Sequence, residues 1–131
     1  MNSSQIQRCI QIAQTVMPEK KSGKYFHVTF LLRKGKILVW AANDYTKAHL
    51  SSRFGDYKPT KTGGSYNACL HSEVAAVRTF TNKFRNTDMR KITLFNVRLD
   101  HNGKPCFAAP CVNCQRNIVD PLNFKEVEFT K

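Results

Sequence analysis

Two short runs in this chain hold metal-binding and proton-moving side chains at spacings that chemistry can use. One is His71, Ser72, Glu73; the other is Pro110, Cys111, Val112, Asn113, Cys114. Cys111 and Cys114 lie three apart, so a helix opening there sets both sulfurs on one face, and its positive end favours their thiolate forms. With His71 they make a set of three ligands. A structural zinc usually closes its tetrahedron with four protein ligands, whereas a catalytic zinc takes three and keeps a position for water. Bound zinc lowers the pKa of that water towards about 7, and a nearby carboxylate can then relay protons without binding the metal. Glu73, two residues after the histidine, is placed for that role.

Two competing uses of these residues are weaker. A purely structural zinc would recruit a fourth ligand such as Cys69, Cys106 or His49, but it would give Glu73 no purpose. A thioredoxin-like dithiol would follow the first strand of its fold, not sit near the end of the sequence. Cys9 falls on an apolar helix face and reads as core, Cys69 and Cys106 as filler. His27, His49 and His101 are isolated histidines, and none joins the candidate site.

The elements that must position these groups fit one α/β domain over residues 1–131. The chain is 41% hydrophobic and 23% charged, in the range of a globular domain large enough for a core. No run approaches the roughly 20 apolar residues of a membrane span, and Met1 to Arg8 lacks a signal-peptide pattern, so a cytoplasmic location is expected. Five cysteines without secretory context argue for metal or catalytic use over a disulfide framework. The formal charge of +12 points to a phosphate-bearing partner, a nucleotide or single-stranded nucleic acid, and the lack of an apolar span leaves no membrane partner expected.

Ser3 or Ser4 is placed to cap a first helix in which Ile6, Cys9, Ile10, Ala13, Val16 and Met17 recur at helical spacing before Pro18. Tyr25 to Leu32 and Ile37 to Ala42 are β-rich and flank a Gly-containing turn, which predicts a hairpin. Residues 44–70 show no sustained periodicity and read as one long basic loop. There Lys47, Arg53, Lys58 and Lys61 interleave with Tyr45, Phe54, Tyr57 and Tyr66, a pattern suited to phosphate contact and base stacking. Val74, Val77, Phe80 and Phe84 mark a second helix from His71. Ile92 to Val97 predicts a third strand, Cys111 to Val119 a third helix opened by Pro110, and Val127 to Thr130 a last strand. The order α-β-β-α-β-α-β predicts a three-layer α-β-α sandwich around a mixed sheet.

The pairing of H-x-E with P-C-x-x-C is the signature of zinc nucleobase deaminases. With the surrounding element order, the sequence resembles the cytidine and deoxycytidylate deaminase superfamily over most of its length. Its compactness and the run LHSEVAAV are most similar to small deaminase domains of phages and large DNA viruses, which implies a viral origin and the host cytoplasm. The resemblance implies a cytidine deaminase-like fold, Zn2+ on His71, Cys111 and Cys114, and proton transfer by Glu73. It also implies hydrolytic conversion of cytosine to uracil, on CMP or dCMP or, alternatively, within single-stranded DNA or RNA. Asn43, at the end of the second strand, would meet the ribose and base, and the Ser72 N–H and Ala109 C=O the pyrimidine edge. Ser72 departs from the usual small apolar residue of the motif. The sequence also stops at its fourth predicted strand, where relatives build a fifth used for closing over substrate or for forming homo-oligomers.

Overall fold

The structure, a computed structural model, describes residues 1–17, 26–48, 69–111 and 114–131, with 44–48 and 69–70 described as backbone. Helix α1 spans Ser3–Val16, and Asn2, not Ser3 or Ser4, is its cap. The Asn2 side chain accepts the Gln5 N–H while the Gln5 side chain accepts the Asn2 N–H, a reciprocal box that satisfies two backbone donors at once. Strands β1 (Phe26–Arg33) and β2 (Lys36–Ala42) form the expected antiparallel hairpin. Lys34 and Gly35 link them with φ of 52° and 78°, the positive values that a two-residue hairpin turn demands.

Strands β3 (Asp44–Ala48) and β4 (Cys69–Leu70) pair with each other in a separate two-stranded sheet. The long segment expected to be loop throughout is therefore closed by strands at both ends. His49, Arg53, Phe54, Tyr57, Lys58, Lys61 and Tyr66 lie outside the described residues.

Helix α2 (Ser72–Lys83) follows at once, and after a 3-10 turn at Met89–Lys91 comes β5 (Thr93–Leu99). The chain then forms β6 (Pro105–Cys106), a π-helical stretch at Gln115–Val119 running into a short α-helix at Asp120–Leu122, and β7 (Glu126–Phe129). The expected third helix, Cys111 to Val119, is present and continues to Leu122: the Gln115 N–H donates to the Cys111 carbonyl, and helical backbone is described from Cys114 onward.

The main sheet runs β2-β1-β5-β6, with β7 also on β5, five strands where four were expected. β1 lies antiparallel to β5, and β5 shares its outer edge, parallel to β7 from Thr93 to Asn96 and antiparallel to β6 at Arg98 and Leu99. β6 is the strand that pattern reading missed. It has two residues and begins with proline, which is tolerated at the start of an edge strand because the missing N–H costs no ladder bond there.

Strand alternation sorts the core into two layers. Val28, Phe30, Leu32, Phe95, Val97 and Leu99 face α1 and pack with Cys9 and Ala13. Leu31, Val39 and Leu94 face the other way, against Val74, Val77 and Phe80 of α2 and against Ile118 and Phe124. Fully burying side chains of this size contributes roughly 1.5–3 kcal/mol each. This is the three-layer sandwich expected from the sequence, and both chemical motifs lie on its α2 side. Among the described residues no helix is long and apolar enough to cross a membrane.

Candidate metal centre

His71 occupies the N-cap position of α2 in extended backbone (φ −76°, ψ 148°), so the chain turns from β4 into the helix directly at the imidazole. Cys111 ends the loop that follows β6, and Cys114 opens the C-terminal helical stretch. From these three elements His71 Nδ1 comes to 3.4 Å from Cys114 Sγ and 3.6 Å from Cys111 Sγ. A tetrahedral zinc with bonds of about 2.0–2.1 Å to nitrogen and about 2.3 Å to sulfur sets its donors roughly 3.5–3.8 Å apart, so this spacing fits the ion. Among the described residues the group contains these three alone, and all its donor atoms lie within 4.8 Å of one another. Cys106 is not part of it; its thiol donates to the Arg98 carbonyl instead.

The electrostatics favour metal-ready ligands. Hydrogen bonding to the Cys114 side chain, and then to His71 and the Cys114 backbone, holds the Cys111 thiol down at about 4 against the opposing effect of burial. Cys111 is exposed and Cys114 buried, so the cluster has an open and a closed side.

Glu73 sits one residue into α2 and is buried among polar groups. Burial raises its carboxyl above the ordinary range, and the negative Cys111 adds to this while the nearby His71 opposes it. Ser72 Oγ donates to Glu73 Oε1 at 3.1 Å, and Asn96 Nδ2 donates to Glu73 Oε2 at 3.2 Å. Asn96 Nδ2 also donates to the Ala108 carbonyl at 3.3 Å, while Thr29 Oγ1 donates to Asn96 Oδ1 at 2.6 Å and lies 2.8 Å from Ser72 Oγ. Thr29, Ser72, Glu73 and Asn96 are all buried.

The loop leading to Cys111 is fastened from the same strand. Ala108 N–H donates to Thr130 O, Thr130 N–H to Asn96 O, and Thr130 Oγ1 to Cys106 O. Ala109, assigned from sequence to the pyrimidine edge, follows Ala108 in that loop. Asn43 stands just beyond the end of β2, its side chain on the backbone of His27.

Sequence reasoning passed over Thr29 and Asn96, and set His27 aside as an isolated histidine. The first two left a signal: each is a polar residue inside an apolar strand, in VTFLL and LFNV. A buried polar group in such a run is the informative exception to hydrophobic patterning. His27 lies two residues before Thr29 on the same strand face, and burial, then the charges of Arg98 and His71, hold its imidazole down at about 4.

No protein-family model and no curated protein matches the chain. Among solved structures, the dCMP deaminase from the cyanophage S-TIM5, in complex with dCMP and dUMP, matches with a TM-score of 0.58 at 17% identity, covering 98% of this chain and 82% of that one. The likeness is one of fold: this chain has the mixed α/β sheet of the cytidine deaminase-like fold, with a His-Cys-Cys cluster suited to zinc.

Proposed function

We propose that the protein is a zinc-dependent hydrolytic deaminase that converts cytosine to uracil on a cytidine nucleotide, CMP or dCMP. The observation that carries this reading is the approach of His71, Cys111 and Cys114 to tetrahedral zinc spacing beside the buried carboxyl of Glu73. The solved dCMP deaminase of the same fold supports the nucleotide as substrate.

His71, Cys111 and Cys114 would hold the zinc, which when bound would supply a water polarised into a nucleophile near neutral pH. Glu73 takes a proton from the water that adds to C4 of the pyrimidine, delivers it to the ring nitrogen, and assists departure of the amine as ammonia, leaving a C4 carbonyl. Its burial serves this role, because it raises the carboxyl above its usual range, the direction that suits a group that must both accept and return a proton. The Ser72 N–H and the Ala109 carbonyl orient the pyrimidine edge, and Asn43 meets the sugar.

A second reading, deamination within single-stranded DNA or RNA, is favoured by the +12 charge and by Phe107, a 59% exposed aromatic ring in the loop before Cys111. Such a ring suits stacking against a neighbouring base.

Incubation of zinc-loaded protein with dCMP, CMP, cytidine, single-stranded DNA and RNA, with uracil products quantified by mass spectrometry, tests both readings. Deamination of the mononucleotides is expected, and Glu73→Ala should lower it about a hundred- to ten-thousand-fold, to a residual rate, while keeping one zinc per chain. A steep loss of activity with salt on polymers alone would select the second reading. Absence of turnover on every substrate, in wild type and Glu73→Ala alike, would leave a zinc-stabilised nucleic-acid-binding module and overturn the enzyme.

A further inference from the structure

Thr29 and Asn96 belong to β1 and β5 and carry none of the steps proposed above, yet they lie directly opposite one another in the sheet, behind Glu73. Thr29 is completely buried and Asn96 is 3% exposed. Two polar residues withdrawn from water here cost stability unless each is hydrogen-bonded, and both are.

The direction of these bonds has a mechanical consequence. The Thr29 hydroxyl donates to Asn96 Oδ1, which fixes which end of the amide faces which way. The donor end, Nδ2, is then left to reach Glu73 Oε2 and the Ala108 carbonyl together. One amide therefore ties the carboxylate on α2 to the loop that carries Cys111. Ser72 holds the other carboxylate oxygen and touches Thr29, closing a ring of four side chains.

We propose that Asn96, oriented by Thr29, is the positioning residue that sets the Glu73 carboxylate relative to the metal-ligand loop. The inference rests on the deaminase reading above. A carboxylate that must reach a water, a ring nitrogen and a leaving amine in turn tolerates little rotation, and a displacement of about 1 Å in a reacting group can cost on the order of a hundred-fold in rate.

The test is a double-mutant cycle of Thr29→Val, which keeps shape but not the hydroxyl, with Glu73→Ala, and Thr29→Ser as the conservative rescue. Thr29→Val should lower kcat about ten- to a hundred-fold with KM unchanged, with one zinc per chain by metal analysis and an unaltered cobalt(II) absorption spectrum in the substituted protein. Thr29→Ser should restore most of kcat. In the Glu73→Ala background Thr29→Val should change kcat no further, since there is no carboxylate left to position.

Equal losses in Thr29→Val and Thr29→Ser, a loss that tracks zinc content, or an additive effect in the Glu73→Ala background would each overturn the positioning role. Asn96→Ser, run through the same cycle, gives the reading if Thr29→Val does not fold. An inactive wild type would instead refute the deaminase reading itself, so the two failures are distinguishable.

Discussion

Asn43 and His27 hold each other by two bonds: the His27 N–H donates to Asn43 Oδ1 at 2.9 Å, and the Asn43 N–H donates to the His27 carbonyl at 3.0 Å. The pair extends the β1–β2 ladder one step past Val28 and Ala42, so Asn43 finishes the hairpin beside His27, whose imidazole feels the charge of His71. With Oδ1 engaged, the sugar contact proposed above would fall first to its Nδ2. Asn43→Ala should therefore lower stability by about 1 kcal/mol, for one lost hydrogen bond, and raise KM for a nucleotide. Urea denaturation with steady-state kinetics checks both, and a variant changed in neither would remove Asn43 from the site.

His27 itself should make stability sensitive to pH. Its imidazole is held at about 4, first by burial and then by Arg98 and His71, against an ordinary 6.5. Below 6.5 the unfolded chain takes up a proton that the folded chain refuses, so the folded state loses ground as pH falls from 6.5 towards 4 and keeps its full stability above 6.5. Thermal midpoints over that range should fall more steeply for wild type than for His27→Gln. Parallel curves would show that His27 carries no such linkage.

The cysteines should differ sharply in reactivity. Cys111 is exposed with its thiol held at about 4, whereas Cys9 is fully buried with its thiol pushed up to about 12. In metal-free protein at neutral pH, iodoacetamide should modify Cys111 early and leave Cys9 intact until unfolding, and zinc should protect Cys111. Peptide mass spectrometry reads the order directly. Early labelling of Cys9 would contradict its place in the core.

Gly35 links the hairpin to α1. A Cβ at this position would collide with the side-chain amide nitrogen of Gln5, and its φ of 78° strains any other L-residue. Gly35→Ala should cost roughly 1–2 kcal/mol from backbone strain, and more if Gln5 leaves its capping box. Adding Gln5→Ala should relieve the clash but not the backbone strain, and denaturant midpoints of the single and double variants separate the two.

The candidate metal cluster was legible because its residues come from two local runs: His71 lies at a helix entry, and Cys111 and Cys114 within one turn of chain. The layering was legible too, since Val28, Phe30 and Leu32 alternate with Leu31 as a strand between two cores must. Other features lay beyond pattern. Asn2, Ser3 and Ser4 are three consecutive cap formers, and only the reciprocal bonds with Gln5 decide among them. β3 and β4 pair across a segment whose own sequence shows no period. The bond between Thr29 and Asn96 joins residues 67 positions apart and exists only once the sheet has formed.

That last contact also bears on how the sheet finds its alignment. β1 and β5 are largely apolar, and two greasy strands could slide past one another at little cost in buried area. Sliding β5 by one residue would set Phe95 or Val97 against Thr29 and turn Asn96 into the oily layer beneath α1, stranding two polar groups where no water reaches. The pair that steadies the carboxylate therefore also acts as a notch: misaligned chains are penalised by the same atoms that make the aligned one competent.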